Sequence, residues 1–182
     1  MRIELKSVRY NEKLSDETAC FSASIYIDGS NVGEARNTGT GGATEVMPWA
    51  LADQLNAYAA TLPPDTYEHN GITHSYPRNA ESLIDEAFEE WHRNKEQRQF
   101  ATRLTTRLIS VRGGQVYESK RVTPVQLAAW LPAVAVRAHA EGYISLNHLP
   151  PAEAWDIYAR AVGLASDQTP TSLSTTSTAT TR

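Results

Sequence analysis

The stretch FSASIYIDGSNVGEAR, residues 21–36, decides the fold of this chain. Apolar residues occupy every second position at its start, namely Phe21, Ala23, Ile25 and Ile27. This period of two is typical of a strand with one buried face. Asp28 and Gly29 tolerate the positive φ of a hairpin turn, so residues 32–36 are predicted to form the returning strand. Residues 2–6 alternate in the same way, and the N-terminal third is therefore predicted to be an antiparallel meander.

Helical periodicity follows in the next part of the chain. An apolar stretch at residues 46–62 predicts a helix that begins near Pro48 and ends at a pair of prolines. The polar residues 65–78 are predicted to form a loop. Residues 79–91 carry an apolar stripe opposite a row of acids, which indicates an amphipathic helix. The stripe lapses at residues 92–99 and then resumes, so the sequence allows either one long helix or two helices that meet there.

The last third repeats the pattern of strands followed by helices. Residues 108–112 and 115–119 flank Gly113 and Gly114, which predicts a second hairpin with a two-residue loop. A helix is predicted over residues 124–140, with Thr123 as its cap, and another after Pro151. The order of elements predicts an α+β fold with antiparallel sheet, one domain at residues 1–165 and about four helices.

Composition limits the classes of protein to which the chain can belong. Its 182 residues carry a net charge of −4, with 41% hydrophobic and 21% charged residues, as in ordinary globular proteins. Eleven of the 17 residues at positions 166–182 are Ser or Thr, so this tail is predicted to be disordered. The absence of a long apolar run predicts no membrane span. We expect a cytoplasmic protein. It can form no internal disulfide, because Cys20 is its only cysteine.

Residues 93–121 form a basic segment within this mildly acidic chain. Between positions 92 and 121 there are eight Lys and Arg residues and two acids, a net charge of +6. The remainder of the chain therefore carries a net charge of −10. One interpretation is a surface that binds nucleic acid or a protein partner, with an aromatic ring available for stacking. The other is a solvated face that is paired with the acidic helix before it. The candidate binding residues are Arg93, Lys95, Arg98, Arg103, Arg107, Arg112, Tyr117, Lys120 and Arg121.

A glycine loop between a strand and a helix is the second candidate site. Gly39, Gly41 and Gly42 are placed where backbone N–H groups can cradle a phosphate. The loop lacks the lysine and hydroxyl residue of a P-loop, so a purely structural turn is the favoured interpretation.

No catalytic or metal-binding constellation emerges from the sequence. His69 and His74 share the polar segment with acids, but their spacing matches no metal motif. We predict no metal, no cofactor and no catalytic residues. Trp91, Trp130 and Trp155 lie on apolar helical stripes and are predicted to be core residues. Trp49 is also predicted to be core, with a partner-binding surface as the alternative.

The chain resembles a group of small uncharacterised proteins encoded by bacteriophages and prophages. The resemblance lies in residues 3–6 (IELK), 15–21 (SDETACF), 26–29 (YIDG), 37–42 (NTGTGG), 83–86 (LIDE) and 146–150 (LNHLP). It covers most of residues 1–165, although Ala43 stands where members of the group often carry cysteine. The resemblance implies a genomic context and no mechanism.

The function expected from these observations is that of a non-enzymatic binding protein. Since no catalytic constellation is found, we expect it to modulate a process of the bacterial host cell through contacts with a host protein. One alternative is nucleic-acid binding through the basic segment. Another is binding or hydrolysis of a nucleotide-like ligand at the glycine loop.

Overall fold

A computed structural model of the chain describes residues 1–164 and confirms the α+β class. Four α-helices accompany antiparallel strands within this range. The helices are α1 (Trp49–Ala59), α2 (Ala80–Leu104), α3 (Pro124–Ala140) and α4 (Pro151–Ala161). The strands are β1 (Ile3–Tyr10), β2 (Phe21–Ile27), β3 (Ser30–Asn37), β4 (Glu45–Met47), β5 (Asp65–His69), β6 (Ile72–Tyr76), β7 (Ile109–Arg112), β8 (Gln115–Glu118) and β9 (Ile144–Ser145). The predicted disordered tail, residues 166–182, lies outside the described residues.

The predicted N-terminal meander is confirmed as a four-stranded antiparallel sheet with the order β1-β2-β3-β4. Asp28 and Gly29 form the tight turn between β2 and β3, with φ values of 49° and 88°. Alternation sends Phe21, Ala23 and Ile25 to one face of the sheet, where they are buried. The same core contains residues of α1 and of the first half of α2. The other face of the sheet is therefore left to polar side chains.

A separate core joins the end of α2 to strand β7, residue Leu146 and helix α4. Strand β7 pairs with both β8 and β9 in a three-stranded antiparallel sheet. Phe100, Ile109 and Leu146 are almost fully buried there, together with Trp155 and other residues of α4. Helix α3 begins at a capping box, in which Thr123 and Gln126 satisfy each other's backbone N–H groups.

The chain consists of two compact units, and the boundary between them falls inside helix α2. The N-terminal unit is Met1–Glu96, and the C-terminal unit begins at Gln97 and is described through residue 164. No Gly, Pro or turn signal marks this boundary in the sequence. The predicted limits of a single domain at residues 1–165 stay a prediction.

One local prediction was wrong, and the structure makes two others definite. Residues 65–76 form the β5–β6 hairpin and not a loop. Val46 belongs to the short strand β4, so α1 begins three residues after the start of the apolar stretch. Helix α2 is a single helix of 25 residues. The lapse in its apolar stripe does not interrupt it, because residues 92–99 include Lys, Glu, Gln and Arg, which are good helix formers.

Candidate binding surfaces

The outer face of the N-terminal sheet carries a trough whose floor is made of small residues. Ser22 and Ser24 point away from the core in β2, opposite the buried side chains of the same strand. Ser22 pairs in register with Arg9 of β1 and Arg36 of β3. The trough has a volume of about 770 Å³. Because its centre holds only serines, longer side chains from β1 and from β3 and β4 form its two sides.

The two sides of the trough differ in how their charges are paired. On the side of β3 and β4, Arg36 donates from Nε to a carboxylate oxygen of Glu45 at 2.7 Å, and Glu34 also lines the trough there. On strand β1, Lys6 is the register partner of Ser24, and its Nζ lies 4.2 Å from the centroid of the Tyr26 ring. The exposed guanidinium of Arg9 has no hydrogen-bond or ion-pair partner within residues 1–164. Arg9 is therefore available to an anionic group of a partner.

Trp49 forms the rim of the trough next to the short strand β4. Its prediction as a core residue is wrong, since 71% of the residue is exposed. It occupies the first turn of α1, whereas the buried face of that helix is formed by Leu51, Leu55 and Ala59. Met47 beside it is 45% exposed. Trp, Met and Arg are the residue types that protein interfaces enrich, and Trp and Arg are frequent energetic anchors there.

The other tryptophans have different surroundings. Trp155 is buried as predicted, at 8% exposure, and Trp91 is partly buried. Trp130 on α3 is 45% exposed, so its prediction as a core residue is wrong. Only Leu127 and Ala138 of that helix are fully buried.

The basic segment does not lie within one compact unit. Arg93 and Lys95 belong to the N-terminal unit, where Lys95 Nζ lies 5.0 Å from the ring centroid of Trp91. In the C-terminal unit, Arg103 Nε and Arg107 Nη1 lie 3.3 and 3.5 Å from carboxylate oxygens of Glu118. These two arginines are thus held by an acid of the same unit.

Arg103 has a second partner that ties it to the core of the C-terminal unit. Its Nη2 donates to the hydroxyl oxygen of Tyr158 at 2.6 Å, and its guanidinium carbon lies 5.3 Å from the centroid of that ring. Tyr158 itself is buried and stacks on Phe100. A side chain with these contacts stabilises the fold and is poorly placed to follow a nucleic-acid backbone.

Within the C-terminal unit, the other basic residues of the segment are exposed. They are Arg98, Arg112, Lys120 and Arg121, and Tyr117 beside them is 43% exposed. Residues 97–164 contain eight Lys and Arg against four Asp and Glu, whereas residues 1–96 contain eight against sixteen. The net charges are therefore +4 and −8. The C-terminal unit is the part of the described chain that attracts polyanions.

The glycine loop is held from within by Asn37, a buried side chain. Asn37 Oδ1 accepts from Gly39 N–H at 2.9 Å and from the Thr18 hydroxyl at 2.8 Å. Its Nδ2 donates to Gly42 O at 3.0 Å and to Thr44 Oγ1 at 3.1 Å. The N–H of Gly39 thus already has its partner within the protein, which favours the structural turn. Nucleotide binding at Gly39, Gly41 and Gly42 stays a prediction.

Thr44 connects the same network to helix α2. Its N–H donates to Glu81 at 2.9 Å and its hydroxyl to Asp85 at 2.7 Å. Burial raises the pKa of the Asp85 carboxyl above its ordinary value, and the hydrogen bond from Thr44 partly opposes the rise. The negative charges of Glu81 and Glu89 raise this pKa further.

His69 and His74 lie on the β5–β6 hairpin, with ring centroids 6.5 Å apart. Within residues 1–164, no three His, Cys, Asp or Glu side chains are grouped so that they could hold a metal ion. In the same range, no helix is long and apolar enough to cross a membrane.

Comparisons of the chain with protein-family models, with curated proteins and with solved structures gave no match. The function must therefore be argued from the surfaces themselves.

Of the residues of the trough, sequence reasoning named only Trp49, with a partner-binding surface as the alternative to a core position. The alternation in residues 21–27 already places Ser22 and Ser24 on the polar face. The pairing that brings Arg9 and Arg36 beside Ser22 depends on register shifts after Lys6 and after Ile25, and the apolar alternation does not show such irregularities.

Proposed function

We propose that this chain is a non-enzymatic binding protein of phage or mobile-element type that modulates a bacterial host process through protein contacts in the cytoplasm. The observation that carries the proposal is the exposed Trp49 at the rim of the trough. A partner that covers this indole would remove its apolar surface from water, which stabilises the complex. The phage context rests on the sequence resemblance of residues 1–165.

The chemistry of the trough supports a protein as its partner. It joins an aromatic anchor, a flexible Met47, hydroxyl groups and the unpaired Arg9 over a surface with charges of both signs. Of these groups, the Trp, Met and Arg side chains are the types that protein interfaces enrich. The N-terminal unit carries a net charge of −8, which disfavours a nucleic acid on this face.

The test is affinity capture from a bacterial host lysate with wild-type protein and with Trp49→Ala. Truncation of an anchoring tryptophan costs about 2 kcal/mol or more, so about a thirtyfold loss of affinity is expected. Trp130→Ala is the matched control, because it removes another exposed indole outside the trough. Thermal unfolding checks that both variants are folded. The proposal fails if no partner rises above background, or if the captured partners are the same for both variants.

Nucleic-acid binding by the C-terminal unit is the second candidate function. It is supported by the net charge of +4 and by the exposed Arg112, Lys120 and Arg121. Arg103 and Arg107 are unsuitable for the test, because replacing them also breaks their contacts with Glu118.

The corresponding experiment measures retention on single-stranded and double-stranded DNA as salt is raised. Changing Arg112, Lys120 and Arg121 together to Glu should remove binding, and the wild type should weaken steeply with salt. Changing Lys6, Arg9 and Lys13 to Glu gives a control with the same change in net charge in the N-terminal unit. Equal retention of both triple variants would eliminate this candidate.

A further inference from the structure

The C-terminal unit contains a small apolar slot that neither proposed function uses. Its volume is about 270 Å³, and it lies between strand β7 and helix α3. Ile109 and Ala138 line it and are 1% and 8% exposed, so they form its floor. Val134 lines it from the helix. A concave, mostly apolar cavity with a few polar groups is the usual form of a small-molecule site, and this one lies just below the usual range of about 300 to 1,000 Å³.

Two tyrosine rings give the slot its shape. Tyr117 and Tyr143 both line it, with ring centroids 5.3 Å apart and planes at 82°. This edge-to-face pair makes two perpendicular aromatic surfaces, and a flat ring can stack on one and meet the edge of the other. The volume admits one ring or two fused rings, and substituents of the ring would extend out of the open slot. The shape therefore selects a planar aromatic group.

Two arginines lie close to this aromatic surface, and the acid Glu141 lines the slot beside one of them. The guanidinium carbon of Arg112 lies 5.1 Å from the centroid of the Tyr143 ring. Arg137 lines the slot and donates from Nε to Glu141 at 2.8 Å. The guanidinium fork also carries two Nη groups, which suit a carboxylate or a phosphate. The net charge of +4 in residues 97–164 acts in the same direction.

We propose that the slot binds a small planar aromatic anion, with the ring against the corner formed by Tyr117 and Tyr143 and the anionic substituent at Arg112 and Arg137. Aromatic carboxylates and mononucleotides both supply this chemistry. The proposal does not depend on the trough, because every residue that lines the slot belongs to the C-terminal unit.

The test measures binding of two probes, indole-3-acetate and AMP, to the full chain by saturation-transfer NMR titration. At least one probe should bind, and the ratio of the two affinities shows which source of the anion is preferred. The neutral analogues indole-3-ethanol and adenosine should bind about two- to fivefold more weakly, as expected for an exposed ion pair.

Matched variants locate the binding. Val134→Trp fills the slot and should abolish binding, whereas Val136→Trp adds the same side chain on the same helix at a position that is 74% exposed and outside the slot. Arg112→Gln should weaken the anionic probe and leave its neutral analogue unchanged, with Arg160→Gln as the control. Thermal unfolding confirms that each variant is folded.

Two results would overturn the proposal. One is the failure of both probes to bind the wild type. The other is binding that Val134→Trp and Arg112→Gln leave unchanged, since the probes would then lie elsewhere. Binding of AMP that survives Val134→Trp would move the nucleotide to another place, such as the glycine loop.

Discussion

Replacing Asn37 by Ala should destabilise the protein strongly, although the residue lies next to an exposed loop. The change removes four hydrogen bonds, two accepted by Oδ1 and two donated by Nδ2. The N–H of Gly39 is left in a buried position without its acceptor. At about 1 kcal/mol for each bond, the expected loss in the free energy of unfolding is about 3 to 4 kcal/mol. In urea denaturation with a slope of about 2 kcal/mol per molar, the midpoint should fall by about 1.5 to 2 M.

Two further variants give this prediction its controls. Asn31→Ala changes an exposed asparagine of the same strand and should stay within about 0.5 kcal/mol of the wild type. Asn37→Asp keeps the oxygen that accepts from Thr18 and Gly39 but turns the donating group into an acceptor that faces the carbonyl oxygen of Gly42 in a buried position, so it should also destabilise the protein clearly. A loss below about 1 kcal/mol for Asn37→Ala would refute the reasoning, because water would then replace the side chain at little cost.

Two other predictions concern charged side chains. Asp85→Asn should gain stability relative to wild type as the pH rises from about 4 to about 7. The pKa of Asp85 is higher in the folded than in the unfolded protein, so folded Asp85 keeps its proton to a higher pH. Its contribution to the stability of the wild type is therefore present at acidic pH and is lost as the pH rises through the raised pKa. A pH-independent difference in urea denaturation would contradict this. Arg103→Gln should lower the free energy of unfolding by about 1 to 3 kcal/mol through loss of its contacts with Glu118 and Tyr158, whereas the exposed Arg98→Gln should change it by less than about 0.5. Equal effects in thermal unfolding would show that these contacts contribute nothing.

The N-terminal sheet was predictable because one face of it is buried. A shift of one residue in β2 would send Phe21, Ala23 and Ile25 to solvent, so the apolar alternation itself specifies the strand. The turn residues Asp28 and Gly29 supply a second, independent signal. Agreement between the two explains why the meander was found from the sequence.

The β5–β6 hairpin was not predictable from burial. Nearly all of its residues are exposed, so neither strand shows an apolar face turned toward a core. The turn at Asn70 and Gly71, with φ values of 52° and 75°, was the available signal. An Asn-Gly pair between β-prone residues such as Tyr67 and Ile72 is typical of a hairpin even where no core requires one.

The candidate sites were less predictable than the fold, because they depend on which side chains the fold brings together. Arg103 and Glu118 are distant in sequence, and only the pairing of β7 with β8 places the acid near the end of α2. Tryptophan is a residue type that is usually buried, and the exposure of Trp49 follows from its place in the first turn of α1. The sequence thus identified basic residues and tryptophans as candidates, but it did not show which of them are paired, buried or exposed.

The two compact units, which divide after Glu96, carry net charges of opposite sign. A net charge of −4 predicts weak repulsion of any polyanion, yet the described residues combine −8 in residues 1–96 with +4 in residues 97–164. Because screening limits electrostatic attraction to about 8 to 10 Å at physiological salt, a ligand responds to the charge of the unit that it touches and not to the average. The trough therefore favours a partner with charges of both signs, while the slot and the exposed arginines around it favour anions. Each surface must be tested with its own ligand, since a result for one has no bearing on the other.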